Sequence, residues 1–339
     1  MRIAVLRDPA SVNALYRAVI PMEALARRGH DVRWDAIQGR QLNHQLLQGC
    51  DVVFIHRLCD EEVQRAVDHL RGRGVAIWWD NDDDIGAITK ENPLYREYSG
   101  LRGKRFFAGM KRLVEMTDLV TTPSATLAEV YEEMGAANVE VLENHLPAEF
   151  LTARRRERGD DAVVVGWTAG LEHRHDYEAL ELRPVFERLL ATMPNVRFVS
   201  VGVSLGLSGR YEHIPRVGFN ELAERAGGYD IGIAPITDTR LNRSRSNVKL
   251  KEYAAAAVPW LASPVGPYIG MGEKQGGRLV ADDEWFTAIT DLADSARSRR
   301  KLGKRARRWA ETETIDSNLR SWEAALASAR RRAQEPMRC

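Results

Sequence analysis

Between residues 240 and 252 the chain gathers Arg240, Asn242, Arg243, Ser244, Arg245, Ser246, Asn247, Val248, Lys249 and Glu252. Cations, small hydroxyls and the start of a helix near Asn247 are the parts of an anion site, and together they suit a diphosphate. Glu252, one turn into that helix, is placed to accept from ribose hydroxyls. A second stretch, Gly166-Trp-Thr-Ala-Gly170 followed by Glu172-His-Arg-His-Asp176, reads as a loop. Its small residues Gly166, Thr168 and Gly170 let a diphosphate or a sugar approach the backbone, although two glycines equally make an ordinary turn. His173 and Arg174 are the side chains placed to face a ligand there, whereas His175 and Asp176 equally suit the cap of the next helix. A third cluster, Asp80-Asn-Asp-Asp-Asp84, follows an apolar run. Its carboxylates fit a divalent-metal site, or helix capping with ion pairs to Arg57 or the cations of residues 102–105. His56 and Arg57 end another apolar run.

The elements that must carry these residues alternate. The run Ile231 to Ile236, the polar loop, the helix near Asn247 and the run Val258 to Ala262 give strand, loop, helix, strand, the order of a parallel βαβ unit. Ligands in such sheets sit outside the carboxyl ends of the strands, where all three clusters fall. The first half begins with a strand at Arg2 to Leu6, a loop at Asp8-Pro9-Ala10-Ser11, and a helix with Leu15, Val19, Met22 and Ala26 on one face. Gly29 closes that helix, and strands follow at Asp31 to Trp34, Asp51 to Ile55, Val75 to Trp79, Leu119 to Thr121 and Val139 to Leu142. Apolar periodicity stops over a linker from Asn144 to Asp161. The second half restarts with a strand at Ala162 to Trp167. A helix at Tyr177 to Met193, strands at Val196 to Val201 and Pro215 to Phe219, and a helical tail from Asp283 complete the reading.

With 339 residues, 44% hydrophobic and 29% charged, the chain is a globular protein of two ordinary domains or one large one. Its apolar runs fall far short of the ~20 residues that cross a bilayer, and the first residues read directly as a strand. Three cysteines, Cys50, Cys59 and Cys339, make neither a disulfide framework nor a metal cage. A cytoplasmic setting fits. The net charge of +1 favours no partner in bulk, but residues 297–308 hold eight Arg or Lys in twelve. That run, Arg297 to Arg308, reads as a solvated helix face or as a site for an anionic partner such as lipid head groups or nucleic acid.

Residues 229–268 resemble the nucleotide-sugar half of GT-B-type glycosyltransferases, a group that includes many retaining enzymes. Their pattern pairs two glutamates, the second followed by small residues and Val-Pro. Glu252, Tyr253, Ala254 to Ala257, Val258 and Pro259 match its second part. The first glutamate is replaced by Ser244, while Ser246, Asn247 and Lys249 are similar to an Asn/Ser-plus-Lys version of the loop. Arg28, Gly29, His30, Asp31 and Val32 resemble the end of the family's first helix, and the paired glycines of its first loop are absent.

The resemblance implies an α/β GT-B fold: two Rossmann-like domains with parallel sheets facing across a cleft. Residues 1–150 would form the acceptor-side domain and residues 151–312 the nucleotide-sugar domain. A helix over 313–339 would return to the first domain, packing Trp322 and Leu326. The implied reaction moves a sugar from a UDP- or GDP-sugar to an acceptor hydroxyl, with retention and without a cofactor or catalytic metal. Arg243, Ser246, Asn247 and Lys249 would hold the diphosphate and Glu252 the ribose. His56, Asp82, Asp83 and His173 are the catalytic candidates, Asp82 and Asp83 on the acceptor side. A DNA-modifying enzyme acting on a hydroxylated base, a GT-B-shaped epimerase and a non-catalytic sugar-nucleotide binder are the alternatives. The acceptor is a glycan, protein, lipid, small molecule or modified DNA, and peripheral membrane attachment goes with the lipid case.

Overall fold

The computed structural model describes residues 1–8, 11–36, 42–153 and 161–335. Pro9 and Ala10 of the expected first loop, residues 154–160 of the linker and Cys339 lie outside them. Six parallel strands form the first sheet: β1 (Arg2–Arg7), β2 (Asp31–Ala36), β3 (Val52–His56), β4 (Ala76–Asp80), β5 (Leu119–Thr122) and β6 (Val139–Val141), in the order 2-1-3-4-5-6. The second sheet is also parallel and six-stranded: β7 (Val163–Ala169), β8 (Val196–Gly202), β9 (Tyr211–Ile214), β10 (Ile231–Ala234), β11 (Trp260–Ala262) and β12 (Gly277–Leu279), in the order 12-11-10-7-8-9. Chain direction across the sheet reverses at β1/β3 in one and at β7/β10 in the other. Crevices therefore open outside the carboxyl ends of those strands.

Helices α1 (Ile20–Arg27), α2 (Glu61–Arg71), α3 (Gly100–Met116) and α4 (Ala125–Met134) flank the first sheet. The second carries α5 (Arg174–Ala179), α6 (Leu182–Thr192), α7 (Leu222–Ala226), α8 (Arg240–Arg243), α9 (Val248–Ala255), α10 (Trp285–Asp294) and α11 (Ala296–Thr312). Strands buried on both faces, such as β3 and β4, read as unbroken apolar runs because helices cover both sides. The last helix, α12 (Ile315–Arg332), packs on α1 and β4 of the first sheet, with Trp322 buried 5.8 Å from Trp78 and Leu326 beside it in the core. The chain crosses between the sheets twice, and the crossings are tied where Leu146 N donates to Glu313 O at 2.9 Å and Ile315 N to Leu146 O at 2.9 Å. None of the described helices is long and apolar enough to cross a membrane.

Three elements differ from the sequence expectation at a proline that explains each. The helix expected across Leu15, Val19, Met22 and Ala26 begins as a π-helical turn, Leu15–Val19, before α1. Pro21 has no N–H for the carbonyl one turn back, so the first turn widens and the buried face rotates. Tyr16, Arg17 and Ala18 turn inward, and Ala26 is exposed. The single helix expected over 177–193 is two helices with Glu181 at φ 48° between them, placing Pro184 in the first turn of α6, where no hydrogen bond is lost. The strand expected at 215–219 is instead β9, which ends before Pro215, and Phe219–Glu221 is a 3-10 turn.

Candidate active site between the two sheets

At the β7/β10 crevice, the segments after the two strands converge on His173. Its Nδ1 lies 2.8 Å from Asp176 Oδ2, and its Nε2 lies 3.0 Å from the Arg245 guanidinium. A guanidinium only donates, so Nε2 accepts and the ring proton sits on Nδ1, donated to Asp176. Asp176 Oδ1 accepts from Thr237 N at 2.9 Å, Thr237 Oγ1 at 2.7 Å and Asn242 Nδ2 at 2.8 Å. Burial works to raise the Asp176 pKa, but His173 and Thr237 outweigh it and hold the carboxyl at about 2. Glu172 Oε1 stands 3.7 Å from Arg245 and 3.8 Å from His173 Nε2. Its pKa also falls below the usual range, because His173 and Arg245 together overcome burial. Lys249 Nζ meets Glu252 Oε2 at 2.7 Å, and the other Glu252 oxygen accepts from Tyr16 of the first domain at 2.7 Å.

This wall is thus a charge-balanced network rather than a bare positive pocket. The expected residues divide by position. Arg174 and Arg243 lie on the surface, paired with Glu178 at 2.6 Å and Asp238 at 2.5 Å, where water screens both partners. Gly166 and Thr168 lie inside β7, which runs on through Ala169 where a loop was expected. A Cβ on Gly166 would stand 2.1 Å from the Tyr229 ring, so this glycine serves ring packing. Thr168 binds the Tyr229 and Tyr253 hydroxyls at 3.1 Å. Gly170 does reach the crevice, and Glu172 folds back over it. Ser246 accepts from Asn144 of the first domain at 3.0 Å, and Asn247 donates to Glu143 at 3.3 Å. Val248 is half-buried against the core.

The facing wall holds the acidic cluster. Asp80, the last residue of β4, is buried in a two-point pair with Arg17 at 3.1 and 2.6 Å, and Thr121 donates to it at 2.6 Å. Arg57 turns out of β3 with φ 62°, a left-handed conformation that is costly for a side chain of this size. It contacts Asp82 at 3.0 Å and donates to Asp83, while Asn13 donates to Asp83 at 3.1 Å. Asp82 is buried, yet Arg57 and His56 bring its pKa down. Its Oδ1 is 3.6 Å from His56 Nε2, beyond hydrogen-bond reach, and both ring nitrogens of the fully buried His56 have no partner. Among the described residues no three potential ligands gather as a metal site. The carboxylates face arginines instead.

The walls touch. Besides Tyr16–Glu252 and Asn144–Ser246, Arg240 donates to Asp84 at 2.6 Å and Ser124 to the Ser244 carbonyl at 2.6 Å. Buried polar atoms without a protein partner collect here: both nitrogens of His56, Thr122 Oγ1, Arg245 Nε and Asn247 Oδ1. Sequence reading missed Tyr16 and Arg17, whose one available signal was Pro21. It also left Glu172 without a role and counted Arg245 only among the cations of the loop. In the basic run, Arg299 binds the carbonyls of Leu292 and Ala293, and Arg307 those of Leu151 and Ala255. Arg305 pairs with Glu273 at 2.7 Å, leaving Arg297, Arg300, Lys301, Lys304 and Arg308 exposed.

No protein-family model matches the sequence, and no curated protein does. Solved structures match over nearly the whole chain. Sucrose-phosphate synthase from Thermosynechococcus elongatus superposes with a TM-score of 0.67 at 14% identity, covering 96% of this chain and 98% of that one. Anabaena HepE in complex with UDP and glucose gives 0.64 at 12%, over 97% and 100%. An alpha-glucosyltransferase in complex with UDP and a 13-mer DNA gives 0.64 at 12%, over 96% and 99%. Such likeness establishes the fold: two Rossmann-like domains in the GT-B arrangement.

Proposed function

We propose that the protein transfers a sugar, with retention, from a nucleoside-diphosphate sugar to an acceptor hydroxyl. The observation that carries this reading is the convergence, at the switch points of both sheets, of buried polar atoms lacking protein partners. Arg245 and Lys249 beside the first turn of α9 suit the diphosphate, whose negative charge grows as the sugar departs. Glu252 suits the ribose once Tyr16 releases it. His173, fixed by Asp176, orients Arg245. On the other wall His56 and Asp82 are the groups to receive the acceptor proton, with Asp83 and Arg57 setting their position. Nucleotide-sugar chemistry in the fold neighbours supports the same reading: HepE was solved with UDP and glucose.

Thermal unfolding with UDP, GDP and their sugar conjugates tests it. A ligand at a hundred times its dissociation constant adds about 2.7 kcal/mol. Lys249→Ala and Glu252→Ala are each expected to abolish that gain, and an undiminished gain in both removes the donor site from this crevice. For the metal question, full transfer in a chelator is expected, whereas activity lost to chelation and restored by Mg²⁺ or Mn²⁺ assigns the acidic cluster a metal.

A further inference from the structure

We propose that the N-terminal rim of the cleft docks on an anionic lipid bilayer, so that the acceptor is membrane-borne; this rests on reading the cleft as a glycosyl-transfer site. Residues 90–112 hold seven Arg or Lys against two acids, Glu91 and Glu97, in a chain whose net charge is only +1. Lys90, Arg96, Arg102, Lys104 and Arg105 are exposed, and none has an ion pair among the described residues. Among them stand Leu94, 43% exposed, and Leu101, 77% exposed. The turn Pro93–Arg96 reaches across the cleft to Leu171–His173, where Leu171 is 65% exposed. Single exposed leucines are common, but the turns that carry Leu94 and Leu171 meet at the cleft mouth and Leu101 follows at the start of α3 among the unpaired cations, which together make a mixed surface.

The rim is one built unit. Gly103 admits the Tyr98 carbonyl, which a Cβ would meet at 2.1 Å, so the turn closes onto α3. Below it Tyr98 and Phe106 meet edge to face at 5.1 Å, and Phe106 and Phe107 at 5.6 Å. Tyr98 also lies close enough to Arg57 and Asp83 to feel their charges, which sets the rim beside the acceptor wall. Cations pair with lipid phosphates while leucines enter the acyl boundary. A nucleic acid backbone would use the cations and leave the leucines in water. The α11 stripe, with its cations exposed and Trp309 half-buried, lacks the apolar component.

Co-sedimentation with vesicles tests this on the full chain. Binding is expected to phosphatidylcholine mixed with phosphatidylglycerol and not to phosphatidylcholine alone. The triple variant Arg102→Glu, Lys104→Glu, Arg105→Glu is expected to lose it, at ~5-fold or more per cation. Leu94→Ser with Leu101→Ser weakens binding without changing its salt dependence. Arg300→Glu with Lys304→Glu, on α11, leaves it intact. Stabilisation by UDP or GDP is measured on the same variants; its persistence in the rim variants shows that fold and donor site survive. If wild type gains no stability from either nucleotide yet binds vesicles, the transfer reading falls and the membrane surface stands. No vesicle binding, binding insensitive to the rim variants, binding lost on changing α11, or DNA binding in place of vesicle binding overturns the proposal.

Discussion

Both walls of the cleft pair carboxylates with cations, yet they do so differently. On the N-terminal wall Arg17 and Asp80 are wholly buried at 2.6 Å, at the carboxyl end of the interior strand β4 and with Arg17 over the Trp322 ring. On the C-terminal wall Arg245 and Glu172 stand 3.7 Å apart, and their side chains keep 19% and 30% of their surface open. A tight buried pair cannot exchange partners without leaving a naked charge. A loose, wetted pair can. The Arg17–Asp80 pair is therefore scaffold, and on the proposed reading the Arg245–Glu172 pair is the one that an incoming anion would open.

The largest effect should come from breaking the scaffold. Arg17→Met strands Asp80 in the core and also removes the donors to Leu142 O and Asn144 Oδ1. A loss of about 3–5 kcal/mol is expected in urea unfolding. A loss below ~1 kcal/mol would mean that the two walls do not differ in this way.

How far the sequence could be read follows the same division. Most of the parallel strands announced themselves as apolar runs ending in polar residues, whereas β9 (Tyr-Glu-His-Ile) and β12 (Gly-Arg-Leu) are not apolar runs and were misplaced or unread. Residues 229–268 carried both the βαβ order and the small-residue helix end, Ala254 to Val258. Individual contacts were less legible. Lys249 and Glu252 lie one turn apart on α9, so their pairing at 2.7 Å follows from helical spacing. Tyr16 meets Glu252 from 236 residues away, after a π turn has rotated it inward, and no local pattern encodes that. Gly166 looked like a ligand-facing glycine because its constraint, the Tyr229 ring, is also distant in sequence.

The hinge, where the walls are held in register, offers the next test. Lys251 is buried between Glu143 at 2.8 Å, Glu313 at 2.7 Å and the Asn144 carbonyl at 2.9 Å. Beside it burial, reinforced by Lys251, lowers the His145 pKa to about 3. The unfolded chain takes up this proton near pH ~6.5, so between that pH and 3 the unfolded state binds more protons. Stability from this group is therefore full above ~6.5 and falls with pH, by up to ~1.4 kcal/mol per unit. Unfolding free energies at pH 6.5 and 5 should differ by about 2 kcal/mol more in wild type than in His145→Gln. Equal pH dependence in the two proteins would detach the hinge from this histidine.

The smallest effect bears most directly on the exchangeable wall. Glu172 lies among Arg245, His173 and Lys249, all three of which act to lower its pKa. A diphosphate that takes Arg245 must compete with this carboxylate. Glu172→Gln preserves shape over Gly170 and removes the competing charge. At a partly open site, one charge a few ångströms away is worth about 1 kcal/mol, so UDP or GDP should bind ~5-fold tighter. The gain should shrink as salt is added, since exposed charges are screened within ~10 Å at 0.1 M. Titration calorimetry of both proteins at low and high salt reads this out. Weaker nucleotide binding in the variant would instead mean that the Glu172 carboxylate supports the nucleotide site rather than competing for Arg245.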